Sequence, residues 1–216
     1  MTTPVLLDEV EEDAFKELFN LSFGATAATL SEMVDAEIEL SVPAFSRLSG
    51  RSLLMQIHRL FGSSIGLVGM DYRFIFPGEH VVPGKAVLLV RAVEIVHFLE
   101  ALHGASIPEE MIPQIEQDSM QLAGDVLLYT CASSLSRMLE SEIDCERPVF
   151  FHGEAPELPH HLGLVGEYAE EELLMLRVDF FMAGKGVSGS LLTWMSGEGL
   201  PYLKAEIDHF IASQML

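Results

Sequence analysis

Counting about 100° per residue from Phe15, the positions Phe19, Phe23, Thr26, Leu30 and Met33 fall within roughly 0–80°, with Leu18 nearby. An apolar stripe on one side of a long helix is therefore predicted over 8–34, and a second long amphipathic helix over 114–140. After each helix comes a short strand that closes near Pro43 or Pro148, because the residue before a proline is held out of helical backbone. A variable segment follows, with a short helix available in GRSLLMQIHRLFG. Two apolar strands around a turn come next, IGLVGMDYRFIF and KAVLLV in the first half of the chain, ELLMLRVDFFM and SLLTWM in the second. Helical spacing returns in VEIVHFLEALHG and in LPYLKAEIDHFIASQML.

The same order of elements occurs twice, and one shift relates the two series. Adding 105 carries Asp13 to Asp118, Ala27 to Ala132, Leu30 to Leu135, Ser31 to Ser136 and Glu37 to Glu142. It also carries Pro43 to Pro148, Phe45 to Phe150, Met70 to Met175, Phe76 to Phe181, Val82 to Val187 and Gly84 to Gly189. Two homologous halves, 1–105 and 106–216, are expected, joined around HGASIPEEMIPQ. Neither half suffices to bury its apolar face alone. The expected fold is α+β in a single domain: one continuous sheet with the long helices against it and a pseudo-two-fold axis relating the halves.

Composition narrows the function classes. With 49% hydrophobic residues, the 216-residue chain builds a sizeable core. Its 33 acidic residues against 12 Lys and Arg give a net charge of −21, which repels phosphate backbones and anionic lipid heads. Nucleic acid and membrane partners are set aside. No apolar run is long enough for a bilayer and the first residues lack a leader pattern, so a cytoplasmic location is expected. The two cysteines, Cys131 and Cys145, are expected reduced, with no C-x-x-C to hold a metal.

On the first helix, Asp13, Glu17, Asn20, Gly24 and Ser31 fall within about 140–200°, opposite the apolar stripe. Glu17 and Asn20 are i and i+3, so their side chains are neighbours. A solvated exterior accounts for the charges. It does not account for Asn20, a weak helix former, or for Gly24, which costs about 1 kcal/mol relative to alanine. Gly24 serves either close packing against another helix or the approach of something from outside.

The spacing D-x3-E-x2-N-x22-P formed by Asp13, Glu17, Asn20 and Pro43, with the continuation NLSFGATAATLSEMV, resembles the signature of the CheC, CheX and FliY family of chemotaxis phosphatases. The duplication resembles the CheC branch. What the resemblance implies is hydrolysis of the acyl phosphate on the response regulator CheY or a related receiver domain. In that role Asn20 orients the attacking water and Glu17 pairs with a lysine of the regulator. Asp13 and Gly24 support the contact. The Mg²⁺ ion is carried by the regulator, and no cofactor or metal of the chain's own is implied. The alternative within the same family is a non-catalytic module that sequesters a response regulator or docks the deamidase CheD. Under the 105 shift Glu17 becomes Leu122, Asn20 becomes Asp125 and Gly24 becomes Tyr129, so one live face and one dead face are expected.

Three other patterns carry less. GKGVSG satisfies a dinucleotide fingerprint, but a strand follows it rather than a helix, so it reads as a hairpin turn. HGEAPELPHH is rich in His and Glu without helical pairing and reads as an exposed loop. The eleven methionines fall mostly in apolar stripes, Met33, Met70, Met138 and Met175 among them, and read as core filling.

Overall fold

The computed structural model describes residues 8–214. Its elements run α1 (Glu9–Val34), β1 (Ile38–Leu40), β2 (Ala44–Ser49), α2 (Gly50–Phe61), β3 (Ser64–Phe76), β4 (His80–Arg91) and α3 (Ile95–His103). The order then repeats as α4 (Ile112–Met138), β5 (Glu142–Cys145), β6 (Val149–Glu154), the short α5 (Leu158–His161), β7 (Glu172–Met182), β8 (Val187–Ser196) and α6 (Leu200–Gln214). The architecture is α+β, with a single eight-stranded antiparallel sheet in the order β1-β7-β8-β4-β3-β5. In addition β2 pairs with β7 and β6 pairs with β3. One long strand of each half, β3 and β7, is thus flanked by the short strands of the other half, while β4 and β8 lie at the centre.

Alternation along the strands sends side chains to two cores. Ala86, Leu88 and Val90 of β4 lie with Leu191 and Met195 of β8 in a cluster covered by α1, α4, α3 and α6. Val87, Leu89, Leu192 and Trp194 face the other way, into a smaller cluster closed by Leu53 and Ile57 of α2 and by Leu158 and Leu162. A second, thinner cover on the far face of the sheet was not foreseen. Nor were β2 and β6, whose half-exposed residues lack a clean two-residue period and become strands by pairing with distant β7 and β3.

The central pair shows how the repeat is arranged. Val87 of β4 faces Leu192 of β8, its own mate under the 105 shift, so the pseudo-two-fold axis passes between these two residues. The shift does not hold throughout. Phe74 faces Val82 with seven residues between them, whereas Met182 faces Val187 with four between. The segment from β2 to β3 has 14 residues and that from β6 to β7 has 17. Three residues gained before β7 are therefore given back in the following turn, and β3 matches β7 three positions further along. Met70 corresponds to Val178 and not to Met175, which lies on the opposite face of the sheet. Phe76 is 2% exposed while Phe181 is 42% exposed, as an odd slip demands.

GKGVSG spans the turn between β7 and β8. HGEAPELPHH is not a loop but the end of β6, one 3-10 turn and α5, with Leu158 buried and His152 Nδ1 2.6 Å from Glu116 Oε1. Met70 and Met175 are core residues, and Met33 and Met138 are half-buried against the core. No helix among the described residues is long and apolar enough to cross a membrane.

Candidate functional site

Helix α1 opens with a reciprocal cap. Asp8 accepts from the Val10 and Glu11 N–H groups, both at 2.9 Å, and Glu11 Oε2 accepts from the Asp8 N–H at 2.7 Å. Glu11 is buried and its charge is met by Lys204 of α6. The helix closes at Asp35, which adopts left-handed backbone at φ 47° and donates to Ser31 O. Between these ends Phe15, Leu18, Phe19, Phe23 and Leu30 are buried, and Phe15 meets Phe45 of β2 edge-on at 5.0 Å. Burying each of these side chains contributes about 1.5–3 kcal/mol. The helix is held by its inner face and capped at both ends, so its outer face is presented rigidly.

That outer face carries the residues singled out by spacing. Asp13, Glu17, Asn20 and Gly24 are all exposed. Asp13 Oδ1 lies 3.5 Å from Lys16 Nζ, which also lies 3.8 Å from Glu12, so Asp13 makes a solvent-exposed ion pair within its own helix. Glu17 and Asn20 have no side-chain hydrogen-bond or ion-pair partner among the described residues. A Cβ added at Gly24 would meet nothing within 4 Å, so packing against another helix of this chain is not the reason for the glycine. Exposed apolar side chains escaped the spacing argument: on α1, Leu21 is 49% exposed and Val10 is 64% exposed, and Val42, next to Pro43 in sequence, is 76% exposed. A leucine on the outer side of an amphipathic helix is the signal that points to the first.

The corresponding face of α4 is engaged by its own loop. Gln121 Nε2 donates to Asp125 Oδ1 at 2.7 Å and to Pro148 O at 2.6 Å, while the Phe150 N–H donates to Gln121 Oε1 at 3.1 Å. The Tyr129 hydroxyl donates to Glu146 O at 3.1 Å. Leu122 stands 60% exposed where Glu17 stands on α1. Gly124, unlike Gly24, is a packing glycine, because a Cβ there would overlap Val68 of β3. The α1 face is open and offers an amide and a carboxylate; the α4 face is tied down and offers an aliphatic side chain and a ring.

Among the described residues no three His, Cys, Asp or Glu side chains are grouped to hold a metal ion. Cys131 is buried in the core and Cys145 half-buried, both as free thiols. Burial, reinforced by the neighbouring Cys145, pushes the Cys131 thiol up to about 12.

No family model matches the sequence, and no curated protein matches it. The fold does match solved structures. FliY of Thermotoga maritima is 18% identical, with a TM-score of 0.70 over 96% of this chain and 99% of that one. The FliM middle domain from H. pylori is 10% identical, with a TM-score of 0.61 over 93% and 99%. CheX of Borrelia burgdorferi, in a complex with CheY, BeF3 and Mg²⁺, is 14% identical, with a TM-score of 0.53 over 84% and 99%. This chain has the fold shared by FliY, CheX and the FliM middle domain.

Proposed function

We propose that the outer face of α1 accelerates hydrolysis of the aspartyl phosphate on a CheY-like receiver domain. The observation that carries the reading is that Glu17 and Asn20 stand exposed and unpartnered beside the open space over Gly24, on a fold also found in CheX in complex with CheY. An acyl phosphate is intrinsically labile, so positioning a water supplies most of what is needed. Water attacks phosphorus, the bond from phosphorus to the aspartyl oxygen breaks, and the aspartate leaves as a carboxylate. Asn20 accepts from and donates to that water through its amide, Glu17 pairs with a lysine of the receiver, and the Mg²⁺ ion stays on the receiver. Asp13 acts at the rim, through Lys16. A cytoplasmic location goes with such a substrate and is part of this proposal.

The second reading is a binding module, favoured by the occurrence of the same fold in the FliM middle domain and in FliM of H. pylori in a complex with FliG. Decay of acyl-phosphate-charged CheY in Mg²⁺, followed with and without the chain, separates the two. Faster decay is expected with the native chain, reduced about tenfold or more by Asn20→Ala and by Glu17→Lys. Unchanged decay with the native chain would leave only binding. Asp125→Ala is expected to leave the rate within about twofold, and a large loss there would move the chemistry to α4.

A further inference from the structure

Strand β4 has neighbours on both sides for most of its length, but its pairing with β8 stops where Gly84 faces Met195. Residues 80–83 pair with β3 alone. They are strand at all because the first hairpin is the longer of the two. Their free edge borders a cavity of about 550 Å³ whose opposite wall is Tyr168 and Glu171, from the segment before β7, with Ser196 and Glu198 at the end of β8. Both places where the halves differ in length therefore meet at one cavity. Past Pro83 and Tyr168 a second cavity of about 220 Å³ runs on along Lys85 and Trp194, which makes the space a trough beside the strand.

At the pseudo-symmetric place on β8 the edge is plugged. Beyond the Val90–Gly189 pair, the Ser188 N–H donates to Glu94 Oε2 at 3.0 Å, and Arg91 Nη2 donates to Ser188 Oγ at 2.9 Å. The repeat sets Pro83 where Ser188 stands and Gly199 where Glu94 stands, so this edge has neither that donor nor that plug. In an antiparallel strand a residue's N–H and C=O point to the same side. The edge of β4 accordingly offers the Pro83 carbonyl and both backbone groups of Val81. Glu171 and Glu198 have no ion-pair partner among the described residues, whereas Lys85 is held by Asp71 at 2.8 Å and Glu172 by Arg47 at 2.6 Å. The charged groups left free along the trough are carboxylates.

We propose that the trough binds an extended segment of a partner protein that adds to the β4 edge and presents a lysine or arginine to Glu171 and Glu198. Alternate residues of such a segment meet the Val81 and Pro83 groups, which recur every second residue. Tyr168, 53% exposed and lining both cavities, supplies an aromatic ring within the trough for the cation, and the net charge of −21 draws a basic segment in. Only a short backbone pairing is possible beside a proline, so the charge carries much of the recognition.

Fluorescence anisotropy with a labelled peptide of about eight residues alternating valine and arginine, at physiological ionic strength, tests this. Binding is expected, weakened about tenfold or more by the pair Glu171→Lys and Glu198→Lys. The same charge change made at exposed Glu109 and Glu110 is expected to weaken it less than about twofold. Equal losses in the two variants would mean bulk charge alone and would overturn the site, as would no binding by the native chain. Val81→Pro removes the edge donor without touching charge and is expected to weaken binding severalfold at an unchanged melting temperature. Unaltered affinity in that variant would overturn strand addition.

Discussion

Gly24 costs α1 about 1 kcal/mol relative to alanine, and the space above it is empty within the chain. Gly24→Ala is therefore expected to raise stability by up to about that amount in thermal melts, while Gly24→Arg keeps the fold and lowers the acceleration of CheY dephosphorylation by crowding the approach to Asn20. If Gly24→Arg left the acceleration intact, the open space would have no part in the function. Cys131 supports a separate expectation. Its thiol is raised from 9.0 to about 12 in the fold, so the folded state holds this proton more tightly than the unfolded chain does. The resulting stability is complete below pH 9 and is lost as pH rises toward 12, with Tyr72, also raised by burial, adding to the loss above pH 10. A melting temperature that declines across this window in the native chain, and less in Cys131→Ala, checks it. At neutral pH Cys131 is expected to resist thiol reagents until the chain unfolds.

Helix α1 depends on its cap and on a partner from the other end of the chain. Asp8→Ala is expected to cost about 1 kcal/mol. Lys204→Met leaves the buried Glu11 carboxylate without its cation and is expected to cost about 2 kcal/mol, read from denaturant midpoints. Much of the element level was legible in the sequence: the 3.6-residue stripe of α1, the hairpin strands, and the polar quartet on one face all stand where periodicity puts them. The register of β7 was not. Met70 and Met175 match in identity, but a gapless comparison cannot see a gain of three residues cancelled by a loss of three. β2 and β6 stayed hidden because what makes them strands is a partner 80 or more residues away. Whether the α4 face was open or closed was equally illegible, since Gln121 reaches Pro148 and Phe150 only after the loop is folded back.

Across the molecule, every short strand of one half is paired with a long strand of the other. A fragment ending at residue 105 would leave β3 without β5 and β6, and β1 and β2 without β7. It is expected to show little cooperative melting by circular dichroism, whereas adding the 106–216 fragment should restore it; independent cooperative folding of either fragment would contradict this. The pairing of Val87 with Leu192 has a last consequence. In a dimer of two identical half-sized chains, the residue on the axis would face its own copy, and every substitution would be made twice, once on each side. Joined in one chain, the two sides are written separately. Valine can sit opposite leucine on the axis, one hairpin can lengthen while the other shortens, and one helix can keep an amide where the other has an aspartate, each by a change made once.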